Sequence, residues 1–450
     1  MRWGFGGGEW ANAVMWSAFS GLYLYFFTDV VHGSPAWGGL IMTLGSLWNT
    51  VLQPYVGLRS DRLRGARGRR RPFLIASALP FAVTSWLLFT DFGLTGVTAD
   101  VYQLLVVMAW FTSLTVFYVP YGAMGAELTT DSRQRTALST VRTAFSQIGA
   151  LVGAVLPLTL HDWLQDLLGG SETAGWSAAA AVVSLAATAG IVITWHTSRG
   201  FERAEAEETT ATWRDTLGLL RSRSVRLQMG MTAFGWAPLS VVATVAIYFA
   251  VHVMGFEKST AGLVMLVWFV SGLAWLPLVS HLTGKLGKKH TFALFTLAWT
   301  VFQSLFLLVE HGDLVLYWVL LLLSSSGSMA VAVTGWSMLA DLTDAEQLRT
   351  GSRREGAIYG LGAFAQTGLG AIAVLLVGLV LSAVGYDGDG EPSPDAVFAI
   401  RVLMSLGAAV WMVPALFFCL RYPLSTQRHK AIRDCLETGD GDREALIRGL

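Results

Sequence analysis

The sequence predicts an all-α protein that crosses a membrane twelve times, with its helices arranged in two bundles of six. Three observations support this fold class. The chain has 450 residues, of which 53% are hydrophobic and only 14% charged, whereas a soluble domain averages about 25% charged residues. Apolar runs that are long enough to span a bilayer, about 20 residues each, recur along the chain. Basic residues concentrate in alternate connections between these runs, as in polytopic membrane proteins.

Hydrophobicity and turn residues give the approximate bounds of the spanning helices. The first run is not followed by a small-residue cleavage site, so we interpret it as a retained helix and not as a signal peptide. The predicted spans are residues 9–28, 36–58, 73–92, 101–123, 136–160, 174–196, 229–252, 259–281, 290–310, 313–340, 355–384 and 396–420.

The placement of charge predicts which helix ends face the cytoplasm. The formal net charge is zero, which gives no general attraction to nucleic acid. Lysines and arginines fill the connections after the second, fourth, sixth, eighth and tenth runs and the C-terminal tail, whereas the other side carries Lys258 and Arg401. Because short basic loops stay in the cytoplasm, we predict a cell-membrane protein with both termini cytoplasmic.

A long polar segment divides the chain into two halves. Residues 197–228 are rich in charge and separate the sixth run from the seventh. They suit either an amphipathic helix on the inner membrane surface or a simple tether. The predicted organisation is a first bundle over 1–196, a linker over 197–228, a second bundle over 229–422 and a tail over 423–450. Glycine and basic residues recur where the second and eighth runs end, which is typical of two parallel halves.

Polar side chains within the predicted helices are the candidate solute-binding residues, because such groups are costly in lipid and face an interior or a cavity. Asn49 and Gln53 lie one turn apart on one face, where they bind either a solute or a neighbouring helix. Arg142 suits an anion or a set of hydroxyls if it stays in a cavity, but its long side chain can also extend to the membrane surface. The other candidates are Trp10, Asn12, Thr115, Tyr118, Gln147, Trp336, Gln366 and Thr367.

Glu9 is the candidate proton site, although an acid near the inner end of the first helix is also consistent with simple solvation. The two cysteines, Cys419 and Cys435, indicate neither a disulfide framework nor a metal site. No Walker-type nucleotide-binding motif occurs in the sequence. We therefore predict no cofactor, no bound metal and no enzymatic activity.

The connection after the second run is the candidate gate on the cytoplasmic side. Its arginines hold this loop in the cytoplasm, and Asp61 can pair with them or with a neighbouring helix end. A loop that only retains the chain in the membrane is the alternative. The predicted gate residues are Gly57, Asp61, Arg62, Arg69, Arg70 and Arg71 in the first half, with Asp341, Arg353, Arg354 and Glu355 in the second.

Three stretches carry a family pattern. Residues 3–75 contain Trp-Gly-Phe-Gly, Phe-Phe-Thr-Asp-Val and the gate loop, residues 119–142 begin Val-Pro-Tyr-Gly, and residues 340–386 end in Gly-Tyr. Together they resemble the glycoside–pentoside–hexuronide:cation symporters, the melibiose permease-like branch of the major facilitator superfamily. The resemblance implies a monomeric twelve-helix transporter with alternating access and a central polar site. It also implies that Thr115 and Arg142 are retained site residues.

The chain departs from this family where the resemblance implies a sodium site. The family holds its cation with acids on helix 2 and on helix 4, where this chain has Asn49, Gln53 and Tyr118. The family's helix 11 lysine falls near Thr367. Because a hard cation prefers charged oxygens, we expect the sodium site to be absent. Transport is then either proton-coupled through another acid such as Glu9, or uncoupled.

The resemblance implies a secondary transporter of a sugar or glycoside. An importer or exporter of a lipid-like or amphiphilic natural product is an alternative, and a non-transporting sensor with the same fold is a third. The identity of the solute, the direction of transport and the coupling ion stay open at this level.

Overall fold

The computed structural model of the protein is helical almost throughout, and no β-strand occurs among the residues that it describes. These are residues 2–62, 70–127, 132–199, 218–351, 355–387, 392–438 and 442–447.

The first half of the described chain contains six long helices. The first of them continues into a π turn, Phe26–Val30. The helices are α1 (Arg2–Tyr25), α2 (Pro35–Arg62), α3 (Arg71–Leu87), α4 (Val97–Glu127), α5 (Ser132–Leu167) and α6 (Glu172–Thr197).

The second half adds six more long helical segments and two short ones. The helix α7 also ends in a π turn, Phe249–Val253, and α12 consists of Pro394–Val402 and Ala408–Arg421 joined by the π turn Leu403–Gly407. The helices are α7 (Arg223–Tyr248), α8 (Lys258–Leu286), α9 (Lys288–Ser304), α10 (Leu314–Thr350), α11 (Glu355–Ala383), α12, α13 (Thr426–Thr438) and α14 (Arg443–Ile447).

Each of the twelve predicted spans coincides with one of the helices α1 to α12, which confirms the fold class. Among the described residues, nine helices are long and apolar enough to cross a membrane by length and composition. The helices α1, α2 and α3 fall outside that set, because α1 and α2 carry glycines and polar side chains and α3 has only 17 residues. The helix α10, with 37 residues, exceeds the roughly 20 residues that a bilayer requires.

Large apolar side chains cover much of the outer surface of these helices. Leu79 on α3 is 72% exposed, Leu185 on α6 is 64% exposed and Val315 on α10 is 79% exposed. A water-soluble protein rarely presents so many large apolar groups together. Lipid chains are the medium in which such a surface is stable, in agreement with a membrane-embedded fold.

The chain forms two compact units. Unit 1 contains the first six helices together with one end of α7, α8, α11 and α12, and unit 2 contains the remainder of the later helices. The bounds are Met1–Glu208, Ala243–Leu266 and Val374–Ile400 for unit 1, and Thr209–Val242, Val267–Ala373 and Arg401–Leu450 for unit 2.

In unit 1, glycines allow α1 to pack closely on its neighbours. A Cβ atom on Gly153 of α5 would collide with the carbonyl of Val14, and one on Gly8 would collide with the ring of Tyr121 on α4. Small residues at such contacts let helix backbones approach each other in membranes. The glycine-rich start of α1 therefore determines which side chains of α4 and α5 lie within its reach.

In unit 2, one buried cluster joins α7, α9, α10, α12 and α13. Trp299 on α9 is its largest member and is fully buried, and Ile432 of α13 is buried in the same cluster. A Cβ on Gly327 of α10 would collide with the Trp299 side chain. The C-terminal helix α13 is therefore part of the packed core of unit 2.

Candidate functional site

A buried ion pair joins α1 to α5 inside unit 1. Nε of Arg142 donates to Oε1 of Glu9 at 2.9 Å, and Nη2 of the same guanidinium also donates to that oxygen. The Glu9 side chain is 8% exposed and the Arg142 side chain is 27% exposed. Because the loss of either partner would leave a buried charge uncompensated, the two groups act as one unit.

Two tyrosines of α4 complete the surroundings of this pair. The hydroxyl of Tyr118 lies 3.5 Å from Oε2 of Glu9. The guanidinium carbon of Arg142 lies 5.1 Å from the ring centroid of Tyr121, at cation–π distance. The Tyr121 hydroxyl donates to the carbonyl of Phe5 at 2.9 Å, which fixes this ring against the start of α1. The arginine therefore lies between a carboxylate and an aromatic face.

The sequence-predicted amide Asn49 takes part in a contact between α2 and α4. The hydroxyl of Thr115 lies 2.6 Å from Oδ1 of Asn49 and 2.6 Å from the carbonyl of Phe111. Both Asn49 and Thr115 are buried, whereas Gln53, one turn further along α2, is half-buried. The amide oxygen of Asn49 is thus engaged by a hydroxyl of this chain.

The positions at which the resemblance implies a sodium ion lack carboxylates. Asn49, Gln53 and Tyr118 are neutral side chains, and the Tyr118 hydroxyl faces Glu9, which is itself paired with Arg142. Within the described part of the chain, no group of three or more His, Cys, Asp or Glu side chains is arranged to hold a metal ion. Neutral oxygens therefore stand at the positions where the resemblance implies carboxylates.

The other predicted residues of unit 1 are half-buried on α1 and α5. The indole nitrogen of Trp10 donates to the carbonyl of Ala186 on α6 at 3.0 Å, so that the polar group of this side chain serves helix packing. Asn12 on α1 and Gln147 on α5 are half-buried.

In unit 2, the predicted residues belong to α10 and α11. The ring of Trp336 stacks on Tyr359, with centroids 5.9 Å apart and an interplanar angle of 14°, and meets Trp236 edge-on at 6.5 Å. Gln366 and Thr367 are half-buried, and the Thr367 hydroxyl donates to a carbonyl of its own helix at 2.9 Å. Unit 2 thus contains an aromatic cluster and, about two turns further along α11, two neutral polar side chains.

The described gate residues of the first half are Gly57, which is half-buried within α2, and two buried arginines at the start of α3. The Arg71 guanidinium donates to the carbonyl of Trp195 through Nε at 3.2 Å and Nη2 at 2.9 Å and lies 5.3 Å from its ring centroid. Arg71, beside the buried Arg70, therefore fastens α3 to α6. Outside the described part of the chain lie the side chains of Asp61, Arg62 and Glu355, together with Arg69, Arg353 and Arg354.

The predicted gate acid of the second half, Asp341 on α10, has partners that the sequence analysis did not name. Nζ of Lys288, the first residue of α9, lies 2.6 Å from Oδ1 and 2.7 Å from Oδ2 of Asp341. The imidazole of His429 on α13 lies 3.7 Å from Asp341 and 3.0 Å from Asp344. The glycine and basic residues after α8, noted above as a repeat, were the signal that pointed to Lys288.

The structure also brings together a polar cluster in unit 1 that sequence reasoning missed. The Tyr386 hydroxyl lies 2.7 Å from Oδ1 of Asp29 and 2.8 Å from Nε2 of His252. Asp29 lies in the π turn after α1, His252 in the π turn after α7, and Tyr386 in the connection before α12. The segments 25–33 and 248–256 have similar sequences, and a comparison of the two was the available signal.

Long helices with lipid-facing surfaces and buried polar groups are the features of a polytopic membrane transporter. The chain belongs to the family described as MFS/sugar transport protein, whose sequence model matches residues 4–426. This match confirms the resemblance found in the sequence. The chain is therefore a membrane transporter of small solutes and not an enzyme.

Relatives cover nearly the whole chain. A candidate glycoside/cation symporter of Escherichia coli is 26% identical over 95% of this chain and 93% of its own length. A glucuronide carrier protein homologue of the same species is 24% identical over 95% of this chain and 93% of its own length. The crystal structure of a bacterial homologue of the human lysosomal transporter Spinster has a TM-score of 0.72, at 11% identity, over 95% of this chain and 97% of its own. This last likeness shows the shared fold.

Proposed function

We propose that this transporter moves a sugar or a glycoside by alternating access and that Glu9 is its proton-binding group. The observation that carries the proposal is the buried Glu9–Arg142 ion pair, with the Tyr118 hydroxyl beside it. In the proposed orientation both termini are cytoplasmic and the basic gate residues lie on the cytoplasmic side of the cell membrane.

Coupling follows from competition for Arg142. Its guanidinium stays charged throughout the physiological range and presents a planar set of donors that suits carboxylates and hydroxyls. A solute oxygen that binds these donors displaces the carboxylate of Glu9. A buried carboxylate that has lost its counter-ion is stabilised by taking up a proton. Solute binding and protonation of Glu9 therefore favour each other.

The solute class rests on the residues and on the relatives. A glucuronide, named for one relative, carries both hydroxyls and a carboxylate, and both suit the donors of Arg142. In unit 2 the stacked rings of Trp336 and Tyr359 offer an apolar face of the kind that packs on a sugar ring. Gln366 and Thr367 are retained as candidate hydrogen-bonding partners for the solute.

The transporter does not couple solute movement to sodium in this mechanism. The oxygen of Asn49 already accepts a hydrogen bond from Thr115, and a neutral amide is a weak ligand for a hard cation. The proton is the remaining candidate for the coupling ion, and an uncoupled exchanger is the alternative.

The test is uptake into proteoliposomes under separately imposed pH and sodium gradients. The solutes are a labelled glucuronide, a neutral glycoside and a lipid-like amphiphile, and the binding of each is measured separately. We expect an acidic outer buffer to stimulate uptake and a sodium gradient to leave it unchanged. The variant Glu9→Gln is expected to lose the pH stimulation and to keep solute exchange. The matched control is Asp91→Asn in the connection after α3, which should behave like the wild type.

Three outcomes would overturn the proposal. Stimulation by sodium would show that Asn49 and Gln53 do not abolish the cation site. Movement of an amphiphile but of neither sugar would assign a lipid-like cargo. Binding without movement of any solute would indicate a sensor.

A further inference from the structure

The ends of α1 and α7 are copies of one structural element. Residues 25–33 read Tyr-Phe-Phe-Thr-Asp-Val-Val-His-Gly, and residues 248–256 read Tyr-Phe-Ala-Val-His-Val-Met-Gly-Phe. In both copies the α-helix changes into a π turn of five residues, Phe26–Val30 and Phe249–Val253. Single π turns often occur at functional sites.

The backbone of the two copies is the same beyond the turn. The amide of Val31 donates to the carbonyl of Phe26 at 3.1 Å, and the amide of Met254 donates to that of Phe249 at 3.1 Å. The next residue has a positive φ in each copy, 56° in the first and 71° in the second. The two segments are therefore equivalent position by position.

The fourth residue of the turn is Asp29 in the first copy and His252 in the second. The two side chains meet, with Nε2 of His252 3.5 Å from Oδ1 of Asp29, and they are 13% and 8% exposed, respectively. Tyr386 bridges them, since its hydroxyl donates to Asp29 at 2.7 Å and lies 2.8 Å from His252. Oδ2 of Asp29 accepts from the Thr28 hydroxyl at 2.5 Å.

Other contacts close the same end of unit 1. The Thr244 hydroxyl on α7 donates to the carbonyl of Ser20 on α1 at 3.3 Å. A Cβ on Gly378 of α11 would collide with the carbonyl of Pro35, the first residue of α2. The helices of the first half and the ends of α7 and α11 are therefore packed together around the Asp29 cluster.

We propose that Asp29, Tyr386 and His252 form a proton-binding site that latches this end of unit 1 in its closed form. A neutral imidazole already donates one hydrogen bond to Tyr386. A protonated imidazole adds a positive charge beside the carboxylate in a poorly hydrated place, where ion pairs are screened little. Opening would separate the two groups and expose both to water. The closed form thus binds the proton more tightly, and acid favours closure.

The Asp29 cluster combines one imidazole with a carboxylate and a phenol. Burial raises the pKa of the Tyr386 phenol far above its ordinary value, and the Asp29 charge raises it further, so this hydroxyl remains a donor. Imidazoles, as a residue type, change charge near pH 6.5, whereas carboxylates and phenols do so well outside the range from 5 to 8. Tyr25 and Tyr248 act on Tyr386, and Asp162 and Glu172 act on Tyr25. His32 and Asp387 follow Asp29 and Tyr386 closely in the sequence.

The test is a distance measurement by double electron–electron resonance on the full chain in nanodiscs. Spin labels would be attached at Ser34→Cys, before α2, and Ser393→Cys, before α12. Both positions are exposed, and the native Cys419 and Cys435 are buried. The pH would be varied from about 5 to 8.5, a range that spans the titration of an ordinary imidazole. The measurement needs no solute and no ion gradient, so its result does not depend on the proposed cargo or coupling.

We expect the ratio of closed to open forms to rise on the order of tenfold as the pH falls through this range. His252→Gln should abolish that pH dependence. Asp29→Asn keeps an acceptor for the Tyr386 hydroxyl but removes the charge, so it should abolish the pH dependence and leave the closed form populated. Tyr386→Phe removes the bridge and should favour the open form at every pH.

The matched control is His311→Gln, since His311 is an exposed histidine in the connection before α10. It should titrate like the wild type. A wild-type distance distribution that does not change with pH would overturn the proposal. So would a pH dependence that persists in both His252→Gln and Asp29→Asn.

Discussion

The helix α1 carries one buried carboxylate near its beginning and another in the π turn at its end. The side chains of Glu9 and Asp29 are both 8% exposed, so their burial is equal. Their partners differ, because Glu9 contacts the guanidinium of Arg142, whereas Asp29 contacts two hydroxyls and an imidazole. The two carboxylates therefore differ in the groups that they contact and not in how deeply they are buried.

Because their partners differ, the two carboxylates of α1 respond to different changes. A guanidinium does not lose its proton in proteins, so in the proposed mechanism the Glu9–Arg142 pair opens when a solute binds Arg142 and Glu9 takes up a proton. An imidazole gains and loses its charge near neutral pH, so the pairing of Asp29 responds to the medium. The first site would bind solute and proton together, whereas the second would respond to protons alone.

Removal of Arg142 should have the largest effect of all. Arg142→Ala leaves Glu9 buried without its counter-charge, and such a loss typically costs about 3 to 5 kcal/mol. We expect that decrease in the free energy of unfolding in mixed detergent micelles, together with loss of solute binding. The control is the double variant Glu9→Gln with Arg142→Gln, which buries no net charge and should be less destabilised. Equal destabilisation of the two variants would refute the pairing argument.

A smaller effect is expected where the backbones of α1 and α5 touch. In Gly153→Ala the new methyl group meets the carbonyl of Val14 and pushes the helices apart, at a cost of about 1 to 3 kcal/mol. Solute affinity should fall as well, because Glu9 and Arg142 are carried by these two helices. Gly122→Ala on α4 is the control, since its Cβ would meet nothing within 4 Å. The measurement is the free energy of unfolding of both variants. An equal decrease in Gly122→Ala and Gly153→Ala would argue against a close approach of α1 and α5.

The contact between α2 and α4 extends the comparison to a buried pair without charged groups. Thr115→Val keeps the shape but removes the hydroxyl that donates to Asn49 at 2.6 Å. An unsatisfied buried polar group costs about 1 to 3 kcal/mol, and we expect a loss of stability in the lower part of that range without a change in the pH response. Thr159→Val on α5 is the control, because its hydroxyl bonds within its own helix at an exposed position. A changed pH response in Thr115→Val would link this pair to the proton site.

The smallest effect should come from the imidazole of His429 in unit 2, which shares Asp341 with Lys288. His429 lies 3.0 Å from Asp344, and their side chains are 16% and 20% exposed. His429→Gln keeps a side-chain donor and leaves the Lys288–Asp341 pair in place. It should therefore change the free energy of unfolding by about 1 kcal/mol or less, the net scale of one hydrogen bond. The pH dependence of unfolding, compared with that of His252→Gln, provides the measurement. A larger shift for His429→Gln than for His252→Gln would show that Lys288 does not compensate for the lost imidazole.

The helices were predictable because each of them must bury its backbone polar groups and present an apolar surface to lipid. The ends of the helices were less predictable. The helix α5 continues from its predicted end at residue 160 to Leu167, and α10 continues from residue 340 to Thr350. These extensions carry charged side chains, and hydrophobicity alone does not detect a helix that continues outside the bilayer.

The members of the site were predictable as single residues, but their pairing was not. Glu9 and Arg142 stood out as ionisable groups within predicted spans, whereas their contact depends on glycines that bring α1 onto its neighbours. The partners of Asp341 and Asp29 were missed because they lie at helix ends and in connections, where polar residues are common. Only the fold shows which of these residues meet.

The equivalence of positions 29 and 252 has a consequence for how such a protein can diverge from a duplicated ancestor. In two identical copies, this position would meet a duplicate of itself, and two aspartates, or two charged histidines, would repel each other. An attractive contact between charged side chains arises when one copy becomes acidic and the other basic. Inequality between the two copies thus favours closure of this end of unit 1, and a mutation that placed aspartate at both positions would weaken it.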